Sequence, residues 1–405
     1  MKRWKKIALA LLVLLVLSQT PFIYRRYRFG RLHDAIERVN AQRAAPAPGD
    51  IHSDYKGVAH VHSSLGGHST GSFDEIIRAA KVNKLDFVLM TEHPSKYFET
   101  ANATLRGMHE GVLFVGGSEV NAADRDRLLV LPGLDATVAP PGALANTQAL
   151  LDRTKQAGRL VFVAYPEQLR SWDLRDFDGI EIYNLYTNAQ KANYALLFLD
   201  GLWTYWSYPQ LLFTDFYERP DDNLRRWDEL TRAGRRVVAI AGNDAHQNVG
   251  LALKDQTGKS LLGIQLDPYE RSFQIVRTHV LLEKGRTLDE AALLSALARG
   301  HCYIAFDLFG DSTGFRFDAA SDTERKTMGD EIALAGVVRL RATVPVKSRI
   351  VFFKDGQLIQ EERDASSKEL EVRERGVYRV EVYLNQLDGA AGRQPWIISN
   401  PIYVR

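Results

Sequence analysis

Seven side chains in this 405-residue chain have the types and spacing of a metal centre: His60, His62, His68, His93, Glu119, Asp244 and His246. Three of the ten histidines fall within nine positions, in GVAHVHSSLGGHSTGS at residues 57–72. H-V-H and D-A-H set their donors two residues apart, and in an extended strand residues i and i+2 point the same way. Each pair would therefore aim two ligands at one point. His68 lies six residues after His62 on a glycine-bearing loop that would turn back over the strand end. Neutral imidazole and carboxylate suit zinc, manganese or iron. Two such cations close together would hold a bridging water and lower its pKa, and would neutralise charge developing on a phosphoryl or carbonyl oxygen. That metal-bound water would be the nucleophile, with no serine or cysteine required. A lone histidine at a strand end is more often an ordinary hydrogen-bonded residue. The reading rests on five histidines and two acids recurring in equivalent places.

Those places are the carboxyl ends of apolar runs: YKGVAHVH (55–62), LDFVLMTEH (85–93), VLFVGGSEV (112–120) and RRVVAIAGNDAH (235–246). RLLVLPG (127–133), RLVFVAYPE (159–167) and GIEIYN (179–184) have the same character. Short runs rich in Val, Ile and Phe suit strands buried on both faces. Helical stretches lie between many of them, such as NTQALLDRTKQAG (146–158) and SFDEIIRAAKVN (72–83), where Ser72 and Glu75 make a capping-box pattern. DDNLRRWDELTRAG (221–234) carries its acids first and ends at a glycine, as a capped helix should. Strand alternating with helix predicts a parallel sheet or barrel. Seven such strands predict a barrel related to the TIM architecture, whose strand carboxyl ends form the face where sites are built.

In order and spacing, GVAHVHSSLGGHSTGSFDEII, VLMTEH, GSEV, VAYP and GNDAH resemble the successive motifs of the PHP (polymerase and histidinol phosphatase) metallohydrolase superfamily, over roughly residues 51–305. The resemblance implies a distorted seven-stranded βα barrel with divalent metals at its strand ends. Carried over by position, His60, His62, Glu119 and Asp244 would bind one metal. His68, His93 and His246 would bind a second, with Glu119 bridging. Where many members read A-H-P this chain reads A-Y-P at Tyr165, and no histidine suited to a third metal follows Glu119; Arg127 stands about there. Two metals are expected rather than three. Tyr165 and Arg127 would either contact substrate or serve as packing and surface charge. Glu181 and Asn184, ending another strand, are candidates for supporting the ligands or touching substrate, and Asn243 for ordering its loop. Glu92, beside His93, is expected in a structural role because the two would point apart on a strand. Cys302 is alone, which excludes an internal disulfide and a Cys-based zinc finger, and it reads as a buried strand residue.

From about Thr313 the pattern changes to short alternating strands: GFRFD, VVRLRATV, RIVFFKDGQLI, LEVRERGVYRVEVYL and WIISNPIYVR. The Asp-Gly of KDGQ (354–357) signals a tight hairpin. These strands predict an immunoglobulin-like β-sandwich. Together with the ending PWIISNPIYV, they resemble the carbaryl-hydrolase-like branch of the PHP proteins, which includes members that cleave carbamate esters.

At the other end, IALALLVLLVL (7–17) opens an apolar stretch that reaches Tyr24. As a helix its 18 residues are about 27 Å long, just enough to span a bilayer core. It reads as a membrane anchor with the body outside the cytoplasm, periplasmic or extracellular. A cleaved signal segment followed by secretion is the alternative, though SQTPF offers no small-x-small cleavage site. Residues 1–31 carry eight basic residues and no acid, so of the formal charge of +2 the remainder holds −6. That mildly acidic body gives no electrostatic case for nucleic acid. The expected domains are an anchor or signal at 1–31, a linker at 32–50 that starts as a short polar helix and ends in AAPAPGD, the barrel at 51–310 and the sandwich at 311–405. The aromatic stretch YALLFLDGLWTYWSYPQLLFTDFY (194–217) reads as packing of an insertion, a substrate wall or a membrane-facing surface.

Three function classes follow. The first is a metal-dependent phosphoesterase acting on a small-molecule ester. The second is a carbamate, amide or carboxylic-ester hydrolase on the same two-metal site. The third is a non-catalytic metal-containing binding protein. An arginine near the metals favours the first, with Arg127 and Arg170 as candidates, and an aromatic-walled pocket favours the second.

Overall fold

The computed structural model describes residues 3–45, 50–134, 146–254 and 260–405; residues 46–49 of the AAPAPGD linker lie outside them. It is a mixed α/β structure in which each of the seven apolar runs forms a strand. These are β1 (His52–Val61), β2 (Phe87–Glu92), β3 (Val112–Asn121), β4 (Arg127–Leu131), β5 (Leu160–Ala164), β6 (Gly179–Asn184) and β7 (Val238–Gly242). Successive strands pair in that order. After β7 the chain returns to β1 through a parallel bridge between Val61 and Ala245 and the bond from Asn243 N to Ala59 O at 2.9 Å. Residues alternate between two cores: Phe87 and Leu89 of β2 join one apolar cluster, Val88 and Met90 another. That is why these strands are apolar throughout rather than alternating.

The expected parallel arrangement fails at one strand. β4 runs antiparallel to both β3 and β5. Only residues 122–126 separate β3 from β4, too few for the crossover that a parallel neighbour needs. The reversal brings the first residue of β4, Arg127, to the end where the other strands finish.

The first helix between these strands has its capping box: Ser72 accepts from Glu75 N, and the Glu75 carboxylate accepts from Ser72 N at 2.8 Å. Two further strands, β8 (Arg277–Glu283) and β9 (Cys302–Ala305), continue antiparallel from the amino-terminal half of β1. Cys302 is buried. The carboxyl-terminal strands include β10 (Arg316–Ala320), β11 (Val338–Lys354), β12 (Gln357–Val372), β13 (Gly376–Tyr383), β14 (Ile397–Ser399) and β15 (Ile402–Val404). The Asp-Gly turn joins β11 to β12, with φ of 52° at Asp355 and 83° at Gly356, the left-handed pair of a type I′ hairpin. VVRLRATV and RIVFFK are one 17-residue strand, β11, rather than two. Because β14 pairs with both β13 and β9, hydrogen bonding is continuous from this region into the rest of the sheet.

The amino-terminal helix α1 spans Arg3–Ala41 without a break. Its 39 residues are about 58 Å long, and its apolar window is unburied. Residues 32–41, read from sequence as a short polar helix at the start of the 32–50 linker, are helical and form the last turns of this helix. Phe29, Ile36 and Val39 are buried in the largest core cluster, together with residues of β4 and β11. α1 is long and apolar enough to cross a membrane.

A buried ionic network ties β1, β8, β9 and β10 together. His279 Nδ1 lies 2.9 Å from Asp54 Oδ1 and His279 Nε2 3.1 Å from Asp307 Oδ2, while Arg316 and Tyr303 also engage Asp54. Burial alone would push His279 down, but the Asp307 and Asp54 carboxylates outweigh it and hold the imidazole up at about 9. A raised pKa stabilises the fold fully below the unfolded value of about 6.5, and that stability is lost as pH rises through about 9. Stability from denaturant titration should therefore fall by on the order of 3 kcal/mol between pH 6 and pH 9.5. His279→Gln should flatten this difference, and an equal fall in that variant would remove His279 as its cause.

Candidate metal centre

All seven predicted donors meet at one end of the paired strands. In one group, donor atoms of His60, His62, Glu119 and Asp244 lie within 4.8 Å of one another, and in a second those of His62, His68, His93 and His246 do so. His62 belongs to both. Glu119 also touches both: its Oε2 lies 3.2 Å from His60 Nε2, 3.3 Å from His62 Nε2 and 3.1 Å from His93 Nε2. The Nε2 atoms of His93 and His246 lie 3.1 and 2.8 Å from that of His68.

The convergence does not come from regular strand geometry. His60 has φ of 63° and Asp244 has φ of 49°, and the β1–β2 register shifts between Val58 and Val61. Left-handed backbone is costly for residues with a Cβ and collects at functional sites. Here hydrogen bonds between the segment after β7 and the end of β1 hold it: Ala245 N to His60 O at 3.1 Å and His62 N to Ala245 O at 3.0 Å. His68 is brought over by its loop. Ser69 Oγ donates to His246 O, and Asn248 Nδ2 donates to His68 O at 3.1 Å. Tyr269 OH, at 2.5 Å from His62 O, braces the strand end.

Each residue expected near the ligands has a definable place. Glu181, fully buried, accepts from His60 Nδ1 at 2.7 Å and from Asn184 Nδ2 at 3.1 Å. That contact leaves His60 Nε2 facing the acids and fixes the ring, as carboxylate partners do for metal-binding histidines. Gly242 is required beside it, because a Cβ there would overlap the Glu181 carboxylate. Asn184 also caps the next helix, accepting from Thr187 N at 2.9 Å. Asn243 orders its loop by donating to Ser272 O at 2.7 Å. Tyr165 is buried with φ of 48°, and its phenol donates to Asp244 Oδ2. Burial and the neighbouring Asp244 and Glu119 carboxylates drive its pKa upward, so it stays a donor. Arg127 lies 3.5 Å from Glu119 Oε1, stacks 4.7 Å from the Tyr165 ring centre and leaves 40% of its side chain exposed. Arg127 is therefore part of this cluster. Arg170 has its backbone N–H on Asp126. Glu92 faces away from the imidazoles and accepts from the Ser63 N–H and hydroxyl and the Thr104 hydroxyl.

Burial pushes His62 down to about 3 and His93 down to about 4, the latter against the pull of Glu119. Burial also opposes ionisation of Glu119 and Asp244, but the surrounding imidazoles hold both below the usual carboxylate range. Burial acts the same way on His60, where Glu181, Asp244 and Glu119 reverse it and hold the ring up. Unprotonated imidazole and ionised carboxylate are the forms that ligate metal, so His62, His93, Glu119 and Asp244 are ready for it, while His60 would release a proton as a cation binds.

A direct test of fit is whether buried lone pairs lack partners. His60 Nε2, both ring nitrogens of His62, and Asp244 Oδ1 are buried without a hydrogen bond. Buried polar atoms are ordinarily satisfied, and each orphan carries a cost. His60 Nε2, His62 Nε2 and Asp244 Oδ1 belong to one donor group and would be satisfied by a cation there, so the residues fit divalent metal; His62 Nδ1, the other nitrogen of its ring, is not accounted for by that cation.

The donors adjoin a cavity of about 560 Å³. Asp244 and His246 lie on its wall, and most of the rest is apolar, including Leu197, Phe213 and Phe216. The aromatic stretch thus divides. Tyr217 packs into the core against Phe309, Phe213 packs against Phe306 and also lines the cavity, and the preceding helix α2, Tyr194–Thr204, forms cavity wall and exposed surface.

No protein-family model and no curated protein matches the sequence. Among solved structures, the chain is similar to a two-domain protein of Bacteroides vulgatus containing a predicted PHP-like metal-dependent phosphoesterase. That match has 15% identity and a TM-score of 0.40, and covers 89% of this chain and 98% of the other. It is also similar to PsfC of Pseudomonas syringae (15% identity, TM-score 0.38, 63% and 92% covered). A third similar structure is a candidate metal-dependent phosphoesterase of Bifidobacterium adolescentis (14% identity, TM-score 0.31, 50% and 89% covered).

Proposed function

We propose that this chain is a PHP-type metal-dependent hydrolase of phosphoester bonds, anchored by α1 in a bilayer with its body outside the cytoplasm. The observation that carries this reading is the convergence of seven donors whose innermost atoms are buried without a hydrogen bond. The strand order closing back from β7 to β1 supports the distorted seven-stranded barrel, and β10 to β15 would form the immunoglobulin-like module. His60, His62, Glu119 and Asp244 would hold one cation and His68, His93 and His246 the other, with Glu119 between them. Zinc, manganese and iron all suit this donor set.

Two bound cations would supply a water ionised near neutral pH and charge neutralisation on the phosphoryl group. The chain's own residues then have separate tasks. Glu181 keeps the His60 ring oriented through Nδ1. The Tyr165 phenol donates to one Asp244 oxygen and leaves the other, Oδ1, facing the imidazoles. Arg127, partly exposed beside Glu119, presents N–H donors suited to a phosphoryl oxygen. Tyr165 and Arg127 occupy the positions where a third metal would need ligands, which supports two.

The apolar cavity favours a second reading, a carbamate or carboxylic ester on the same centre. Metal-loaded full chain should hydrolyse bis(p-nitrophenyl) phosphate, lose that activity to EDTA and regain it with zinc, manganese or iron(II). Turnover of p-nitrophenyl carbamates alone would transfer the reading to carbonyl substrates, and turnover of neither class would overturn it.

A further inference from the structure

The cavity beside Asp244 and His246 is larger and more apolar than a compact phosphoester needs. Its volume of about 560 Å³ falls within the range of about 300–1,000 Å³ that encloses a sizeable organic ligand. Its far wall is α2, and α2 also packs against the apolar amino-terminal helix. Phe198 lines the cavity and meets Phe22 edge to face at 6.5 Å. On the same helix Trp203 Nε1 donates to Gln19 at 3.1 Å, and Asp200 pairs with Arg25 at 2.7 Å. These α1 residues lie at the end of the apolar stretch, where Arg25, Arg26 and Arg28 follow. With that stretch in a bilayer, α2 sits at headgroup level. Its exposed Tyr194, Phe198, Leu202 and Trp203, with Trp206 just beyond, are the amphipathic and apolar groups that such a layer favours.

One helix therefore separates a bilayer surface from an apolar cavity that ends at the metal ligands. We propose that the substrate is a membrane amphiphile: a phosphoester whose long apolar chain occupies this cavity while its phosphoryl group lies at the donor cluster. The proposal rests on the hydrolase reading and names its substrate class. It also accounts for two features that point apart for a small soluble substrate, a cationic Arg127 beside the donors and an apolar wall next to them. Hydrolysis adds water across one ester P–O bond. The water oxygen becomes bonded to phosphorus, one proton goes to the departing alcohol, the other belongs to the product phosphate, and nothing is oxidised or reduced.

The test is binding of n-alkyl phosphates, from butyl to decyl, to the metal-loaded full chain in phosphatidylcholine vesicles, measured by calorimetry. Affinity should rise by up to about fourfold per methylene. Gly201 offers a way to fill the cavity: it lines the wall within α2, and a Cβ there meets only Leu212 Cδ1, at an ordinary 3.7 Å. Gly201→Trp should abolish the rise, and Gly201→Ala should retain it. Affinity independent of chain length overturns the proposal. So does a rise that persists in Gly201→Trp, because partition into the vesicles would then explain it. Turnover of bis(p-nitrophenyl) phosphate by the same preparation separates the two levels. With turnover present and no chain-length effect, only the substrate class falls; with no phosphoester turned over, the phosphoesterase reading and the substrate class fall together.

Discussion

Replacing His62 or Asp244 by alanine is expected to remove bound metal and to lower phosphodiester turnover by at least about a thousandfold, while the chain still folds. The activity loss follows from position: His62 alone belongs to both donor groups, and Asp244 sits in the buried one. Losing either leaves the remaining donors too few to fix a cation that must bear several kcal/mol of charge stabilisation. Survival of the fold has a separate cause. Both ring nitrogens of His62 are buried without a well-formed hydrogen bond, Nε2 only facing Glu119 Oε2 at 3.3 Å, so that ring contributes mainly packing to the metal-free protein. Removing a buried unsatisfied polar group is far less costly than breaking a satisfied pair. Melting of metal-free His62→Ala should lie close to that of the metal-free parent, whereas Asp244→Ala also strips the buried Tyr165 phenol of its acceptor and should melt lower by an amount equivalent to about 1–3 kcal/mol; in both, the stabilisation that added metal gives the parent should be missing. Unchanged metal content in either variant would count against the ligand assignment.

Replacing Arg127 by alanine is expected to lower kcat on a phosphodiester by about a hundredfold to a thousandfold, the usual consequence of deleting one donor aimed at developing charge. Metal content should hold, because Arg127 contacts Glu119 Oε1 whereas the imidazoles cluster about Oε2. Arg127→Lys should recover part of the loss through its charge without the planar fork. An unchanged kcat in Arg127→Ala would reduce this arginine to a partner of Glu119 and remove the main local argument for phosphate over a carbonyl ester.

Much of this site is readable from residue types because its elements are apolar runs ending in ligands. Such runs must be buried on both faces, which suits parallel strands, and parallel pairing sets the ligand-bearing ends of β1, β2, β3 and β7 on one rim. The path by which the ligands meet is not local. His60 and Asp244 adopt left-handed backbone held by hydrogen bonds between β1 and the segment after β7, so these residues converge by a geometry other than the i, i+2 alternation of an ideal strand. The reversal of β4 did leave a signal, the five residues at 122–126, too short for a crossover. Taken seriously, that length would also have moved Arg127 from a surface charge to the rim.

Other features left weaker traces. β12 runs through QEERDASSKE, whose charged residues, none of them buried, hide a strand that its pairing with β11 reveals. The Asp-Gly turn that starts it was legible because two consecutive left-handed residues need that chemistry. Residues 32–41 read as a short polar helix leading into a linker, and Ile36 and Val39, three positions apart, mark the face that docks into the core. The Asp54–His279–Asp307 network was missed because its members lie far apart in sequence and only the antiparallel pairing of β8 with β1 and β9 unites them.

The most direct test of the central claim is elemental analysis of the full chain after loading and desalting. The account predicts two divalent ions per chain in the parent and almost none in His62→Ala. A parent that retains no metal, or a His62→Ala variant that retains as much as the parent, would contradict it.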